Sequence, residues 1–355
     1  MILSDLQGDL LASRAHSARV TTGFDGERLL GPKLAIVNPP LWEIGHVGWF
    51  QEYWCLRRRA DGTFADSMLP GADALYDSSS VAHGTRWGLP LPDLKATRAY
   101  LANVLERVLA RIEREPEDEA LRYFVRLATL HEDMHAEAFH YTHQTLSYAA
   151  PFDNSQPVKG GDIDCKGGTF QMGAKADSGD FVFDNEKWAH EVEVAPFRIA
   201  SAPVTNAQFL AYVEDGGKAP RYWSKLGGQW MERRFSKFMP LQGEAPVRHV
   251  DWHEAQAWCR WAERRLPSEA EWQFAAASFH WGDVWEWTSG AFDPFPGFSA
   301  DPYTDYSQPW FGTHKVLKGA SFATPRRLVR PGFRNFYLPE RGDVFAGFRT
   351  CRIEA

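Results

Sequence analysis

Two histidines in the sequence are spaced so that both could bind one metal ion. His131 and His135 lie four residues apart within residues 121–147, LRYFVRLATLHEDMHAEAFHYTHQTLS. Apolar residues recur at three- and four-residue steps through this segment, which predicts a long amphipathic helix. Side chains four residues apart on a helix project to the same side, and imidazole is the commonest side-chain ligand for transition metals. The spacing therefore predicts a metal site on the inward face of this helix.

The letters around these histidines fit two kinds of metal site. His131-Glu132-x-x-His135 matches the HExxH pattern of zinc proteases, in which the glutamate is the general base. His131, His135 and Glu137 also match HxxxHxE, a pattern of non-haem iron enzymes. A third interpretation is a pair of hydrogen-bonded core histidines, although burying two imidazoles without a ligand costs free energy. The motif alone leaves zinc and iron open.

A third histidine lies on another predicted helix, within residues 38–59, NPPLWEIGHVGWFQEYWCLRRR. Asn38 is a candidate helix cap, and the two prolines after it suit a first helical turn. His46 then shares one stripe with large aromatic residues, namely Trp42, Phe50 and Tyr53. A lone histidine on such a face is more often a core residue. Because His131 and His135 are also expected to face a core, however, His46 is the best candidate for a third metal ligand.

Four helical segments in the first half of the chain predict a four-helix bundle. Besides the two histidine-bearing segments, residues 3–22 and 92–114 carry apolar residues at helical spacing. Residues 60–90 look like a loop and include Arg86, which could hold a polar or anionic ligand, a solvated surface arginine being the default. Residues 150–162 lack periodicity and contain Pro, Gly and Asn, which predicts a domain boundary there.

The bulk composition narrows the class of protein. A chain of 355 residues is long enough for two domains. Its net charge of −7 gives no bulk attraction to nucleic acid or to an anionic membrane. Its 4 cysteines are far apart and form no CxxC motif, which fits a reducing cytoplasm. With no signal-peptide pattern and no apolar stretch of membrane-span length, we expect a soluble, cytoplasmic protein without nucleic-acid or membrane partners, of open oligomeric state.

The second half of the chain has a different pattern, with short elements and long aromatic-rich loops from Asp162 onward. Three capping-box signals predict short helices, at Thr205 with Gln208, Asp251 with Glu254, and Ser268 with Glu271. Aromatic residues and arginines crowd residues 281–350, and most of them are expected to pack in a loop-rich core. Loops that carry both residue types can also hold a polar or cationic ligand. This half therefore predicts an α+β domain.

Several motifs, in order, resemble the sulfatase-modifying-factor domain, a variant of the C-type-lectin fold. They include GGTFQMGA, RRLPSEAEWQFAA, WGDVWEWTSG and RNFYLPERGDVFAGFRTCR, and the resemblance covers most of residues 163–352. Residues 1–150 resemble the DinB-like four-helix bundle. This pair of domains is similar to the architecture of the ergothioneine-type sulfoxide synthases. We therefore expect a DinB-like bundle carrying the iron ligands at residues 1–155, and a C-type-lectin-like (formylglycine-generating-enzyme-like) α+β domain at residues 156–355.

The resemblance implies a cofactor and a reaction. Ergothioneine-type enzymes use non-haem Fe(II) and O2 to join sulfur to the imidazole carbon of hercynine, the Nα-trimethyl form of histidine. By this resemblance His46, His131 and His135 bind Fe(II), with O2 as co-substrate. Formylglycine-generating relatives instead use a close cysteine pair near the C-terminus. Only Cys351 lies there in this chain, which argues against that activity.

The substrate pocket departs from the pattern of the thiol-using members that accept γ-glutamylcysteine. Their Asp after the RN motif is Tyr337 here, while the following Arg remains as Arg341. Their YPGF-like motif begins with Phe295 here, and the Gln before the second helical histidine is Met134. The closest resemblance is to the short selenoneine synthases, which join selenium from a 1-selenosugar to hercynine. A sugar donor is uncharged and needs no acid–base pairing with the protein. The presence of Tyr337 where thiol-using members have Asp agrees with such a donor.

These considerations give candidate roles to residues around the substrates. Aromatic faces favour a trimethylammonium group, and an amide can bond a carboxylate. The candidates for hercynine are Phe298, Phe336 and Asn335, and those for the donor are Arg86, Tyr337 and Arg341. Three further candidates would lie behind the metal ligands or near the reacting atoms, namely Glu137, Met134 and Phe295. For Glu137, the alternative is a solvated glutamate on the helix surface.

The predicted reaction is iron- and O2-dependent C–Se bond formation between hercynine and a 1-selenosugar, in selenoneine biosynthesis. One alternative is an ergothioneine-type sulfoxide synthase with a thiol donor, either γ-glutamylcysteine or a thiosugar. A second is a zinc protease of the HExxH type, and a third is a sugar-binding or scaffold protein with a vestigial bundle.

Overall fold

The computed structural model describes residues 3–59, 61–179 and 181–353. The chain divides into two compact units, Met1–Pro151 and Phe152–Ala355. Whether residues 1–155 and 156–355 are the two functional domains stays a prediction. Within the described residues, no helix combines the length and the apolar character that crossing a membrane requires.

The first unit is helical, as the sequence predicts. Its helices are α1 (Leu3–Val20), α2 (Pro40–Glu52), α3 (Ala72–Tyr76), α4 (Leu94–Arg114) and α5 (Glu119–Thr145). Helix α2 continues directly into a π-helical turn, Tyr53–Arg57. Four long helices form the predicted bundle, and short α3 lies inside the segment predicted as a loop, of which residue 60 falls outside the described residues.

The starts of the helices follow local capping chemistry. Asp93 and Asp118 cap α4 and α5, since each carboxylate accepts a hydrogen bond from the backbone N–H three residues on. The prediction that Asn38 caps α2 is wrong, because Pro39 holds that position and makes no side-chain bond. The Asn38 amide oxygen instead accepts from Arg86 Nη1 at 2.7 Å. Prolines suffice to start α2, since their fixed φ suits a first helical turn.

Helix α5 is buried on more sides than the predicted apolar stripe. Its charged residues Glu132 and Asp133 are fully buried. Arg14 and Ser13 of α1 donate hydrogen bonds to these two carboxylates at 2.7 and 2.8 Å. Buried charge is tolerated only where it is paired. These contacts therefore fix how α1 and α5 pack, and with that the rotation of α5 about its own axis.

The second unit has the predicted C-type-lectin-like α+β fold, built from short strands. These are β1 (Asp162–Cys165), β2 (Gly168–Met172), β3 (His190–Val194), β4 (Phe197–Ala200), β5 (Trp223–Leu226), β6 (Gln229–Arg234), β7 (Lys237–Pro240), β8 (Arg264–Arg265), β9 (Trp285–Ala291), β10 (Lys315–Gly319), β11 (Asn335–Tyr337), β12 (Ala346–Gly347) and β13 (Cys351–Arg352). One four-stranded sheet has the order β1-β4-β13-β8, and another has the order β11-β10-β9-β12. Strands β2 and β3 form a separate pair, and β5, β6 and β7 form a three-stranded sheet.

Three short helices lie between these strands. They are α6 (Asn206–Glu214), α7 (Trp252–Trp261) and α8 (Glu269–Ala275). All three predicted capping boxes are present, with each cap residue bonded to the backbone of the third helical residue and the reverse bond also made. Short helices need such caps because most of their backbone groups lie in an end turn.

The second unit contains a fully buried ion pair. Arg349 and Glu286 of β9 are both fully buried, and Arg349 Nη2 donates to Glu286 Oε1 at 2.7 Å. Trp272 Nε1 also donates to this carboxylate, at 2.7 Å. The guanidinium lies 3.6 Å from the ring centroid of Phe279 and donates to the carbonyl of Ala200. Each charge thus has several partners, which a charge removed from water requires.

We predict that Arg349→Met destabilises the second unit strongly, because it leaves the Glu286 carboxylate buried without its cation. Breaking one side of such a pair costs about 3–5 kcal/mol in the free energy of unfolding. Urea denaturation followed by tryptophan fluorescence measures the change. Arg352→Met is the matched control, since Arg352 is exposed and its ion pair with Asp162 lies at the surface. Equal losses in the two variants would contradict this account.

Candidate metal centre

Helices α2 and α5 bring three histidines together. His46 lies on α2, and His131 and His135 lie one turn apart on α5. The Nε2 atom of His131 is 3.3 Å from that of His46 and 3.2 Å from that of His135. One ring nitrogen from each residue lies within 4.8 Å of the other two. The three imidazoles therefore point their Nε2 atoms at one common position.

Two of the rings are held by hydrogen bonds at the opposite nitrogen. His46 Nδ1 lies 2.7 Å from the carbonyl oxygen of Tyr76, and His135 Nδ1 lies 2.6 Å from Oε1 of Glu43. Both partners are acceptors, so each Nδ1 carries the proton and donates it. Each Nε2 is then left with a lone pair directed at the common position, as in metal-ligating histidines with an outer hydrogen-bond partner.

Aromatic rings pack around the histidines. The ring of His131 stacks on Phe50 with centroids 3.6 Å apart and planes 8° from parallel. His46 is stacked with Trp42 at 5.0 Å and with Trp49 at 5.8 Å. His46 and His131 are almost fully buried, and His135 is partly exposed. Stacking of this kind leaves the rings little freedom to rotate, so the directions of their nitrogens are fixed before any ligand arrives.

Burial keeps the imidazoles of His46 and His131 neutral. It lowers the pKa of His46 and of His131 well below the usual value, and the neighbouring ring of His135 lowers both further. A protonated imidazole cannot bind a metal ion, so a neutral state is the one that ligation requires. His46 and His131 therefore present uncharged nitrogen donors at neutral pH.

The donor set fits a divalent transition metal. Metal–nitrogen bonds of about 2.1 Å at angles between 90° and 110° would place the nitrogens about 3.0–3.4 Å apart. The two observed separations, 3.2 and 3.3 Å, lie in this range. His131 can donate at most one Nε2 proton, so one contact between lone pairs would stay unsatisfied without a cation. Nitrogen donors suit iron, zinc or copper rather than calcium or magnesium, which prefer oxygen.

Glu132 is not placed as the general base of a zinc protease would be. Its carboxylate accepts from Arg14 Nε at 2.7 Å and from Arg14 Nη2 at 3.2 Å. The same guanidinium donates to Gln51 of α2 and to the carbonyl of Leu101 of α4, so Glu132 belongs to a hydrogen-bonded group that joins four helices. Glu132 is thus occupied in holding α1, which argues against the HExxH interpretation.

Two other candidate residues of α5 lie close in sequence to the histidines. Glu137 is buried, so the alternative of a solvated surface glutamate is wrong. Met134 is half-buried. Their roles near the reacting atoms stay predictions.

Arg86 lies behind the histidines rather than on the surface. Its guanidinium carbon is 3.8 Å from the ring centroid of Trp42, the residue that stacks on His46. Its Nη1 donates to Asn38, and its Nη2 donates to the carbonyl of Val81 at 3.1 Å. Burial lowers the pKa of Arg86, and the nearby Glu43 opposes this shift. The contacts give Arg86 a role in supporting Trp42, and donor binding by Arg86 stays a prediction.

In the second unit, the aromatic candidates belong to one cluster. Phe336 of β11 stacks on buried Phe292, with centroids 4.1 Å apart. Phe311 contacts both Phe292 and Phe298, at 4.9 and 5.0 Å. Phe298 and Phe336 are therefore joined through two intervening rings, and both remain half-buried. Phe295 is buried, and the guanidinium of Arg334 lies 4.0 Å from its ring centroid.

The polar candidates of the second unit lie on β11 and just after it. The Asn335 side-chain oxygen accepts from the N–H of Phe336 at 2.9 Å, so its amide nitrogen keeps its hydrogens for another acceptor. Arg341 donates to both oxygens of Asp343, at 2.6 and 2.7 Å. Its guanidinium carbon also lies 4.9 Å from the ring centroid of Tyr337.

Sequence reasoning missed Glu43, the acceptor for His135. Glu43 lies three residues before His46 on α2, and residues at this spacing share one helical face. An acidic residue on an otherwise aromatic stripe, next to a candidate ligand, was a usable signal. The carbonyl of Tyr76 carried no such signal, because any residue supplies a backbone oxygen.

We predict that Glu43→Ala weakens divalent-metal binding about 10- to 100-fold, because the His135 ring loses the acceptor that orients it. Glu43→Gln should weaken binding less, since its amide oxygen can still accept from Nδ1. Anaerobic competition against a coloured chelator, with Fe(II) or Co(II), measures the affinity. Glu106→Ala, an exposed change on α4, is the control. Unchanged affinity in Glu43→Ala would refute the orienting role.

Comparison with known proteins places the chain in a family. Residues 10–141 match the DinB superfamily, and residues 149–281 and 280–353 match the sulfatase-modifying factor enzyme 1-like domain. A hercynine oxygenase of Mycolicibacterium smegmatis is 31% identical over 98% of both chains. One from Mycobacterium tuberculosis is 30% identical over 96% of this chain and 97% of its own length. A formylglycine-generating enzyme of Streptomyces coelicolor is 27% identical over 54% of this chain and 88% of its own. This chain therefore belongs to the ergothioneine-type sulfoxide synthase family, with the hercynine oxygenases as full-length relatives.

Proposed function

We propose that this chain is an Fe(II)- and O2-dependent oxidoreductase that joins selenium from a 1-selenosugar to the imidazole carbon of hercynine. The observation that carries the proposal is the convergence of Nε2 atoms from His46, His131 and His135. Full-length relatives named hercynine oxygenases support the substrate and the oxidative class of reaction. The choice of selenium over sulfur as the donor atom rests on the positions at which this chain differs from the thiol-using members of the family.

The electron balance of this reaction requires no separate reductant. The imidazole C–H bond and the donor Se–H bond are broken, and one C–Se bond and one Se–O bond are formed. The two substrates together lose four electrons, which one O2 accepts, and one water is released. Fe(II) held by the three histidines would supply the activation of O2, since three neutral ligands leave positions open for reactants.

Residues of α2 and α5 hold the ligands and control protons around them. We propose that Glu43 keeps the proton of His135 on Nδ1 and thereby keeps Nε2 available. Glu137 is proposed to orient a ligand or the substrate imidazole, which its burial supports, because a buried carboxylate requires hydrogen-bond donors. Met134, in place of a glutamine, removes an amide from this part of the helix.

Hercynine carries a trimethylammonium group and a carboxylate, and two kinds of side chain suit them. Phe298 and Phe336 are proposed to hold the cation against their ring faces. Their membership of one half-buried aromatic cluster supports this role, since a cluster can offer more than one face. Asn335 is proposed to donate its amide hydrogens to the carboxylate, as its oxygen is already bonded to the backbone. Phe295, at the position of the family tyrosine, offers no hydroxyl group.

An uncharged donor is supported by the pairing of Arg341. Both donor atoms that Arg341 directs at Asp343 are occupied, so its charge is already compensated within the chain. A peptide-like donor would need a free cation for its carboxylates, whereas a sugar needs only hydrogen-bonding groups. Tyr337 supplies a hydroxyl group where thiol-using members have an acid. Tyr337 and Arg341 are proposed to bind the donor, and Arg86 is proposed as a further donor-binding residue.

We predict that anaerobically Fe(II)-loaded protein, given hercynine, O2 and an equimolar mixture of donors, forms mainly the hercynine–selenosugar product. The competing donors are a 1-thiosugar and γ-glutamylcysteine, and mass spectrometry separates the three products. O2 uptake should accompany product formation. In His131→Ala, product formation and O2 uptake should each fall at least about 100-fold, because the change removes one of the three metal ligands.

His280→Ala is the matched control, since His280 is exposed and belongs to the second unit. It should keep full activity. Preference for γ-glutamylcysteine would overturn the donor assignment but keep the reaction class. Absence of any product from hercynine, or peptide hydrolysis supported by zinc without O2, would overturn the proposed function itself.

A further inference from the structure

The short helix α3 accepts three hydrogen bonds from aromatic rings of α2. The last carbonyl groups of a helix have no partner inside it, so a helix of five residues offers acceptors to its surroundings. The three bonds are 2.6, 2.7 and 2.7 Å long, and they run from Trp42 Nε1 to the carbonyl of Leu75, from His46 Nδ1 to the carbonyl of Tyr76, and from Trp49 Nε1 to Oδ1 of Asp73. Helix α3 therefore fixes His46 and also both tryptophans next to it.

The two tryptophans enclose the imidazole of His46. Trp42 lies one turn before His46 on α2, and Trp49 lies one turn after it. Both indoles are stacked with the imidazole, at interplanar angles of 10° and 24°. Because the N–H group of each indole is bonded to α3, neither ring can rotate without losing a hydrogen bond. The direction of His46 Nε2 is thus set by α3 directly, through Nδ1, and indirectly, through the two indoles.

Arginines attach both ends of this region to the rest of the first unit. At the start of α3, Arg57 donates to both oxygens of Asp73, at 2.6 and 2.8 Å. After α3, Arg86 donates to the carbonyl of Val81 at 3.1 Å, and its guanidinium lies over the ring of Trp42. Bonds from a guanidinium fork to a carboxylate are strong and directional. The position of α3 relative to α2 is therefore fixed by contacts on both sides of the helix.

A glycine of α2 allows the end of α3 to approach. The ring of Tyr76 is fully buried and lies against Gly45, where an added Cβ atom would be only 2.3 Å from Tyr76 Cε1. Any other residue at position 45 must therefore displace this ring, and with it the carbonyl that accepts from His46. Glycine inside a helix is less stable than alanine. Position 45 thus gives up helix stability at the point where α3 makes its closest approach.

His46 needs such support more than the other two histidines do. His131 and His135 lie one turn apart on α5, so the geometry of a single helix sets their relative positions. His46 comes from a different helix, and its placement depends on contacts between helices. A ligand that is already held in its bound orientation loses less conformational freedom when it binds.

We propose that α3 is a positioning element for the metal ligand His46, and that Gly45, Trp49 and Asp73 are positioning residues through which it acts. None of these three residues is itself one of the three histidine ligands. The proposal rests on the proposed function, in that it takes His46 as a metal ligand. It does not depend on the identity of the substrates.

Co(II) affinity of the full chain, measured anaerobically by competition with a coloured chelator, tests the proposal. Gly45→Ala should weaken Co(II) binding about 10-fold or more, as the loss of an orienting contact behind a ligand does. In a chain that also carries His46→Ala, Gly45→Ala should cause no further loss, because α3 acts through His46. A merely structural role of Gly45 would lower the affinity equally in both chains.

Gly48→Ala is the matched control. Gly48 lies on the same helix, and an added Cβ atom would be 2.5 Å from Leu101 Cδ1 of α4. The crowding is similar, but it falls on the flexible end of a leucine and away from α3. The Co(II) affinity of Gly48→Ala should therefore equal that of the native chain. Thermal unfolding without metal checks that each variant is folded.

Variants of Asp73 test the same role without crowding α2, and they decide the question if Gly45→Ala does not fold. The side chain of Asp73 is half exposed, so its replacement leaves no buried gap. Asp73→Ala removes the acceptor of Trp49 and should weaken Co(II) binding about 2- to 10-fold, the equivalent of one hydrogen bond. Asp73→Asn keeps an oxygen that can accept from Trp49 and should recover most of the affinity.

Two results would overturn the positioning role of α3 while leaving His46 as a ligand. One is native Co(II) affinity in Asp73→Ala, and the other is an equal loss from Gly45→Ala with and without His46. Unchanged affinity in His46→Ala alone would instead overturn the proposed ligand, and the role of α3 with it.

Discussion

The first unit depends on one constraint, that three imidazoles must keep their Nε2 atoms close together inside a helical bundle, with those of His46 and His135 only 3.3 and 3.2 Å from that of His131. Nitrogen lone pairs at that distance repel unless a proton or a cation lies between them. Hydrogen bonds at the far side of His46 and His135 keep their protons away from the centre. Packing against Phe50 and Trp42 prevents the rings from rotating away. The helices thereby maintain an arrangement that a transition metal ion would stabilise.

Buried polar contacts elsewhere in the bundle serve the same geometry. Glu132 and Asp133 sit next to a ligand on α5, and their bonds to α1 set the rotation of α5. On α2, Glu52 accepts from Tyr100 of α4 and from the loop that follows α2. A helix held by a charged pair cannot rotate without unpairing it, which is costly in a low-dielectric interior. The ligand-bearing helices are thus held in position by paired polar groups as well as by apolar packing.

Much of this could be predicted from the sequence, and the remainder has physical reasons. Periodicity located the helices and capping boxes located α6, α7 and α8, because both signals are local. His131 and His135 were recognisable from their spacing alone, and His46 only in their company. The cap of α2 was predicted wrongly because Asn38 is bonded by Arg86, a residue distant in sequence. The pairing of Glu132 with Arg14 also depends on tertiary packing that a single helix does not encode.

The central claim is that one iron ion is bound by all three imidazoles, and X-ray absorption of the Fe(II)-loaded chain tests it most directly. Multiple scattering from imidazole rings reports how many histidines bind the metal. The account predicts three in the native chain and two in His46→Ala, in which α2 supplies no ligand. A fit requiring only two histidines in the native chain, or an unchanged spectrum in His46→Ala, would contradict it.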